Sequence, residues 1–219
     1  MLPRKVIIDC DPGQDDAVAL FLALASTDDL DVLGITTVAG NVPLALTQRN
    51  ARMMCDIAGR EDLRVFAGCE RPLELDPITA EYIHGNTGID GVSVFEPKTP
   101  LQEQHAVDFI VEALLDSKEP VTLVPTGPMT NIATAMQREP SVLRNVEQIV
   151  SMGGAMREGG NRSPSAEFNI LVDPHAADIV YNCGRPVTAM GLDVTHHVLS
   201  TRERVARIRE LDNEVAEAT

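Results

Sequence analysis

The sequence predicts an α/β protein, in which an open, mostly parallel sheet carries helices on both faces. Short β-branched runs alternate with helical patterns along almost the whole chain, and several runs are followed directly by glycine, asparagine, threonine or aspartate. Strand–helix–strand repeats imply parallel pairing with helices on both faces of the sheet. Ligands of such Rossmann-like sheets bind beyond the carboxyl ends of the strands, so one crevice could collect these polar residues.

The predicted strands are short, β-branched apolar runs, and the predicted helices show helical spacing of apolar residues. The strands are Val6–Asp9, Val32–Val38, Arg64–Ala67, Val121–Pro125, Gln148–Met152 and Val187–Gly191. The helices are Asp15–Ala25, Pro43–Ala58, Gln104–Ser117, Met129–Gln137, Pro174–Tyr181 and Thr201–Val215. Because the last helix aligns Val205, Ile208, Leu211 and Val215 on one side, we expect it to pack on the core or at a subunit interface.

Composition limits the class of protein. No Ser/Gly-rich linker divides the 219 residues, so a single domain over 1–219 is expected. With 18 Lys+Arg against 33 Asp+Glu, the net charge of −15 argues against nucleic acid or an anionic membrane as partner. The longest apolar run, Ala17–Ala25, is too short to cross a bilayer. The four cysteines form no C-x-x-C pair and have no metal-like spacing, which favours free thiols in a reducing cytoplasm.

Two connections are longer than simple turns. Residues 68–103 contain "YIHGNTGIDG", and residues 153–173 contain "GGAMREGGNRSPSAEFNILVD". Long connections in compact domains are usually functional or disordered. Both hold glycine, asparagine and charged residues rather than low-complexity sequence, so we expect them to wall a site.

The stretch "DCDPGQDDA" places Asp9, Asp11, Asp15 and Asp16 where the first strand gives way to a helix. An acidic first helical turn would account for Asp15 and Asp16 but not for the other two. Crowded carboxylates without a cation must raise their pKa values to relieve repulsion. An all-oxygen site for a divalent ion removes this conflict, and Ca²⁺ tolerates irregular carboxylate geometry better than Mg²⁺.

The same stretch resembles the N-terminal signature of the nucleoside hydrolases, the inosine–uridine-preferring family of N-ribohydrolases. Further similar motifs follow in the expected order over nearly the whole chain: "GITTVAGN", "HGNTGIDG", "LVPTGPMTNIA", "MGGA" and "GNRSPSAEFNILVDP". The resemblance implies the open α/β nucleoside hydrolase fold with a Ca²⁺ at the bottom of the pocket. It also implies a ribonucleoside as small-molecule substrate and a homo-oligomer, either a dimer or a tetramer.

Carried over by position, the resemblance assigns roles to ten residues. The metal ligands would be the carboxylates of Asp11 and Asp16 and the backbone carbonyl of Thr126. Asp11 would also be the catalytic general base. The substrate-binding residues would be Asp15, Asn41, His84, Met152, Asn161, Glu167 and Asn169, with His84 on the base side and the others around the ribose.

These assignments make chemical sense. Cleavage of a ribose C1′–N bond passes through an oxocarbenium-like state, as in glycoside hydrolysis. A metal ion can acidify a bound water, and Asp11 can accept its proton. Acceptors such as Asp15 and Glu167 suit a vicinal diol and orient the sugar. We therefore expect Ca-dependent hydrolysis of ribonucleosides to ribose and free base, in nucleoside salvage, with a pyrimidine or an inosine/uridine preference.

Simpler explanations exist for several of these residues. His84 could be a surface histidine, and Asn41 could cap the helix that begins at Pro43. Glu167 and Asn169 alternate around Phe168, so in an extended segment they would point the same way. "DCDPG" also resembles the start of the aspartyl-nucleophile phosphatases, although Gly13 stands where these have Thr or Val.

Members of the family are longer than this chain, and the resemblance implies that a C-terminal part is missing. That part normally supplies an Asp that completes the metal site and a His that serves the leaving base. Three explanations stay open: a fragment of a longer enzyme, a natural truncation that is slow or inactive, and a nucleoside- or cation-binding relic without turnover.

Overall fold

The computed structural model describes residues 2–219. Its strands are β1 (Arg4–Cys10), β2 (Leu30–Thr37), β3 (Val65–Ala67), β4 (Leu101–Gln102), β5 (Val121–Pro125), β6 (Val146–Met152) and β7 (Val187–Met190). Its helices are α1 (Gln14–Ala25), α2 (Leu44–Ile57), α3 (Glu81–His84), α4 (Ala106–Asp116), α5 (Thr130–Arg138), a 3₁₀ helix (Pro140–Asn145), α6 (Phe168–Val172), α7 (Pro174–Tyr181), α8 (Leu192–Thr195), α9 (Arg202–Arg209) and α10 (Glu214–Glu217).

All seven strands join one sheet in the order β4-β3-β2-β1-β5-β6-β7, and every pair is parallel. The chain builds outward from β1 to β4 and then returns to the other side of β1, where Asp9 of β1 pairs with Pro125 of β5. The order of strands therefore reverses between β1 and β5. Ligands of open α/β sheets bind at such a switch point, outside the carboxyl ends of the strands.

Both faces of the sheet are covered, as the apolar strands predict. Ile7 faces a core cluster that includes Phe109 of α4 and Ile132 of α5. Its neighbour Ile8 points to the opposite face and joins a second cluster with Leu20 of α1 and Met54 of α2. The predicted α/β architecture is therefore confirmed, and the two packed layers fix the strand ends that hold the site. None of the helices within residues 2–219 is long and apolar enough to cross a membrane.

Two predictions of local structure are wrong. The expected helix over Thr201–Val215 is two short helices, α9 and α10, and α9 buries none of its residues. Leu211 is 65% exposed because it lies between them, so the terminal segment is not one core-packing helix. The segment around Phe168 is the helix α6 rather than an extended strand, so the alternation argument for Glu167 and Asn169 fails.

Candidate active site

A cavity of about 220 Å³ opens at the carboxyl ends of β1, β5 and β6. All ten residues predicted from the motifs line this cavity: Asp11, Asp15, Asp16, Asn41, His84, Thr126, Met152, Asn161, Glu167 and Asn169. The two long connections supply its walls, since residues 80–84 come from the first and residues 161–169 from the second. The structure thus brings the predicted set together in one place.

Asp11 follows directly after β1 and is 1% exposed. Its Oδ2 accepts a hydrogen bond from the backbone N–H of Asn41 at 2.7 Å, while Oδ1 is buried with no hydrogen-bond partner within residues 2–219. The carboxylate is held between Gly40 and Gly127, because a Cβ at either position would overlap it. A buried acceptor without a donor costs about 1–3 kcal/mol, so this oxygen is arranged for a group outside the chain.

Asp16 lies in the first turn of α1, where its Oδ2 accepts a hydrogen bond from Gly13 N–H at 3.3 Å. Burial, followed by the charge of Asp15, raises the pKa of Asp16 to about 7. Burial and then the charge of Asp16 raise the pKa of Asp11 well above its usual range. Two buried carboxylates disfavour each other's ionisation, and a cation bound between them would favour the ionised form of both.

Asp9 does not line the cavity but lies beneath it, at the end of β1. Its Oδ1 accepts hydrogen bonds from Thr36 Oγ1 at 2.6 Å and from Asn131 Nδ2 at 2.8 Å. Burial raises the pKa of Asp9 to about 7. Asn131 also donates to Thr37 O at 3.0 Å and accepts from Cys69 N–H at 2.8 Å, so it joins β1, β2 and the segment after β3 below the site. Sequence reasoning missed Asn131, although it lies five residues after Thr126 within a matching motif.

The amide groups of Asn41 and Asn169 are oriented by the protein itself. Asn41 Nδ2 donates to the carbonyl of Asp11 at 3.0 Å, and Asn169 Nδ2 donates to the carbonyls of Thr126 at 2.8 Å and Met152 at 3.2 Å. Because the amide nitrogens are engaged, the amide oxygens are left to accept hydrogen bonds. Asn41 does not cap α2, whose N-cap is Pro43.

Glu167 is the N-cap of α6 and is 2% exposed. Its carboxylate accepts backbone hydrogen bonds from Asn169 at 2.9 Å, Ile170 at 3.2 Å and Gly154 at 3.0 Å. Burial raises the pKa of Glu167. A carboxylate can accept about four hydrogen bonds, so roughly one acceptor position of Glu167, which lines the cavity, is left without a donor. Glu167 therefore both fixes the wall and contributes to the site.

Three further side chains present free polar groups. Asp15 is exposed, and its carboxylate accepts no hydrogen bond from residues 2–219. Asn161 Oδ1 accepts from Phe168 N–H at 2.8 Å, which leaves the amide NH₂ available as a donor. His84 ends α3, with Nδ1 2.6 Å from Gln14 Oε1, and burial lowers its pKa. Together these side chains offer both donors and acceptors to a polyhydroxylated ligand.

The residues predicted to hold a divalent ion fit such an ion chemically. Asp11 supplies an unpartnered buried oxygen, Asp16 a second carboxylate, and Thr126 a carbonyl that accepts only one hydrogen bond, from Asn169. Hard cations such as Ca²⁺ take oxygen ligands of these kinds. Within residues 2–219 no three His, Cys, Asp or Glu side chains are grouped to hold one ion, and the predicted set contains only two. The Ca²⁺ assignment stays a prediction.

Sequence reasoning missed Tyr82, Ile83 and Arg162, which also line the cavity. Ile83 and Arg162 directly neighbour His84 and Asn161, and Tyr82 lies two residues before His84. This position was the signal that could have found them.

Comparison with known proteins identifies the family. The profile described as "Inosine-uridine preferring nucleoside hydrolase" matches residues 6–219. The pyrimidine-specific ribonucleoside hydrolase RihA from Photobacterium profundum is 46% identical over 218 residues, which are 100% of this chain and 70% of that protein.

Solved structures of nucleoside hydrolases have the same fold as this chain. The plant nucleoside hydrolase PpNRh1 superposes with a TM-score of 0.93 at 36% identity, covering 99% of this chain and 68% of that one. A purine-preferring ribonucleoside hydrolase from Gardnerella vaginalis gives 0.92 at 36% identity, covering 99% of this chain and 71% of that one. The chain thus spans roughly 70% of the length of these proteins. The name of the RihA relative states a pyrimidine specificity, and that of the Gardnerella enzyme a purine preference.

Proposed function

The chain belongs to the inosine-uridine preferring nucleoside hydrolase family, and on that basis we propose that it hydrolyses ribonucleosides to ribose and free base. In this reaction the C1′–N bond breaks, a water oxygen bonds to C1′, and the departing base takes up a proton. One observation supports the proposal above all others. A buried, unpartnered carboxylate oxygen of Asp11 lies in a cavity whose other groups suit a sugar.

The ribose is held by the groups that the protein leaves free. Asp15 and the fourth acceptor position of Glu167 accept from sugar hydroxyls, as do the amide oxygens of Asn41 and Asn169. The NH₂ group of Asn161 donates to a sugar oxygen. Because hydrogen bonds to the chain fix most of these groups in advance, little ordering is needed on binding.

Asp11 is the general base that accepts a proton from the attacking water. Its carboxylate is immobilised by Asn41 N–H and by the two glycines that enclose it. The carboxylates around the sugar also favour the positive charge that develops on the ring in the transition state. The same arrangement therefore orients the sugar, accepts the proton and stabilises the transition state.

We assign Ca²⁺ to Asp11, Asp16 and the carbonyl of Thr126. Such an ion, when bound, makes water more acidic and provides the cation that the buried carboxylates otherwise lack. It also lowers the pKa of Asp11, because a nearby positive charge favours the ionised form.

The biological setting belongs to the same proposal. Nucleoside salvage in the cytoplasm agrees with four cysteines that are all free thiols in the structure. Assembly into a dimer or tetramer stays a prediction.

The decisive assay measures reducing sugar released from uridine and from inosine with Ca²⁺ present, using the protein and its Asp11→Asn variant. Release by the protein, lost in the variant, supports the proposal. Full release by the variant would remove Asp11 from the mechanism. If neither nucleoside is cleaved but both are bound, the chain is a binding protein of the same family.

A further inference from the structure

The cavity has an inner part and an outer part of different chemistry. The inner part holds Asp11 and Asp16, which are 1% and 5% exposed. The outer part, which we call the mouth, consists of Tyr82, Ile83 and Arg162. Tyr82 and Ile83 are each 64% exposed, and Arg162 is also exposed. If the polar inner part takes the sugar, the base of a nucleoside must extend towards this mouth.

Arg162 is positioned at the mouth by contacts on both sides. Its guanidinium lies over the ring of Tyr82, 5.4 Å from the centroid, which is within cation–π range. Its backbone N–H donates to the carbonyl of Ala166 at 3.2 Å, inside a turn where Ser163 Oγ accepts from Ala166 N–H at 2.9 Å. The contact therefore joins the two long connections across the cavity and restricts where the guanidinium can lie.

The N–H groups of Arg162 are available to a ligand. Within residues 2–219 its side chain makes no hydrogen bond of its own and forms no ion pair with a carboxylate. Arginine donates hydrogen bonds and accepts none, and a guanidinium stacked on an aromatic ring keeps its edge free for a planar acceptor. A carbonyl oxygen on a nucleobase is such an acceptor, whereas an exocyclic amino group is a second donor.

We propose that Arg162 is a specificity-determining residue that meets the nucleobase and favours a base with a carbonyl oxygen over one with an amino group at the same position. The inference rests on the proposed function, because the sugar must occupy the inner part for the base to reach the mouth. Inosine and adenosine form a matched pair, since they differ only at the N1–C6 edge of the purine. Inosine has a carbonyl oxygen at C6 and a proton on N1, and adenosine has an amino group at C6 and an unprotonated N1.

The test compares kcat/KM for inosine and adenosine in the protein and in Arg162→Gln. The inosine-to-adenosine ratio should fall at least about tenfold, because a charge-assisted hydrogen bond to the carbonyl oxygen is lost. Calorimetric Kd values for the same two nucleosides give the same ratio if the chain binds without turnover. Tyr82→Leu should shift the ratio in the same direction, because the guanidinium loses its support.

Arg157→Gln is the matched control, because Arg157 lies in the same connection and its side chain does not line the cavity. This variant should keep the parental ratio. An unchanged ratio in Arg162→Gln, with inosine and adenosine both affected equally or not at all, overturns the inference while leaving the proposed function intact. If the parent neither binds nor cleaves either nucleoside, the proposed function itself fails, and the inference fails with it.

Discussion

Two buried aspartates in this molecule differ in how many hydrogen bonds their carboxylates accept. Asp173, at the start of α7, is 0% exposed, and Asp11, after β1, is 1% exposed. The Asp173 carboxylate accepts hydrogen bonds from Ala176 N–H at 2.9 Å, Leu73 N–H at 2.9 Å and Thr130 Oγ1 at 2.7 Å. The Asp11 carboxylate accepts one hydrogen bond, and its second oxygen has no donor within residues 2–219.

The difference distinguishes a carboxylate that stabilises the fold from one that we propose acts in the reaction. Asp173 receives one donor from the helix it caps and two from distant segments, and so ties the first long connection to α5 and α7. Buried polar groups in folded proteins are normally satisfied in this way. Asp11 is enclosed as tightly, but its Oδ1 has no donor within residues 2–219, and the residue lines the cavity, where a ligand can complete it.

The largest effect is expected for Asp11→Asn. Loss of the general base should reduce kcat/KM for uridine by about 10²–10⁴-fold. Without divalent ions, however, the free energy of unfolding of the variant, measured in urea, should be higher by about 1 kcal/mol or more, because a carboxyl group whose ionisation is opposed by burial is replaced by a neutral amide. A variant that lost activity together with stability would instead indicate a structural role for Asp11.

Asp173→Ala should lower stability and leave the cavity unchanged. Three donors lose their acceptor, so the free energy of unfolding should fall by about 3 kcal/mol or more in urea denaturation. The molecules that remain folded should bind Ca²⁺ as the parent does, because Asp173 does not line the cavity. Weakened Ca²⁺ binding with unaltered stability would contradict the assignment of a purely stabilising role to Asp173.

Gly40→Ala should disturb the site through crowding. Its new Cβ would overlap the carboxylate of Asp11 and approach Pro128 Cδ at 2.9 Å, which should cost about 1–3 kcal/mol of stability. Displacement of the carboxylate should also weaken Ca²⁺ affinity about tenfold, measured by calorimetry. Gly184→Ala is the control for Ca²⁺ affinity alone. Its Cβ would meet nothing within 4 Å, so the Ca²⁺ affinity should match that of the parent, although the φ of 79° makes alanine cost some stability there.

The smallest effect is expected for Asp193, whose carboxylate accepts backbone hydrogen bonds but is not fully buried. It accepts backbone hydrogen bonds from Met156 at 2.7 Å and from Arg157 at 2.8 Å, and these bonds lower the pKa of Asp193. Because the pKa of Asp193 is lower in the folded protein than in the unfolded chain, where it is about 4, the ionised carboxylate stabilises the fold above about pH 4. This stabilisation disappears as the pH falls through the folded-state pKa.

Asp193→Asn should therefore increase amide hydrogen exchange at Met156 and Arg157 near neutral pH. The difference from the parent should vanish in strong acid. An equal difference at all pH values would show that the charge of Asp193 is not what anchors this wall.

Much of the fold could be predicted from the sequence, because buried parallel strands are apolar runs whose ends are marked by polar residues. The run Val121–Pro125 was predicted with the bounds of β5, and the meeting of Asp11 with Thr126 follows from adjacent strand ends. The two-residue strand β4 and the short helix α6 were not predicted, because tertiary contacts rather than local patterns determine such short elements.

The hydrogen-bond network of the site was less predictable. Asn131 donates to Asp9 across 122 positions of sequence, and no local pattern signals such a pairing. The N-cap that Glu167 forms on α6 could not be predicted, because "EFN" fits both an alternating strand and the start of a helix. Single sequences reveal which residues gather at a strand end, but not how they share hydrogen bonds.

Calorimetric titration of Ca²⁺ into the protein and into its Asp11→Asn variant tests the central claim most directly. The account predicts one ion bound per chain by the protein and no detectable binding by the variant. Equal Ca²⁺ affinity in the two proteins, or no binding by either, would contradict it.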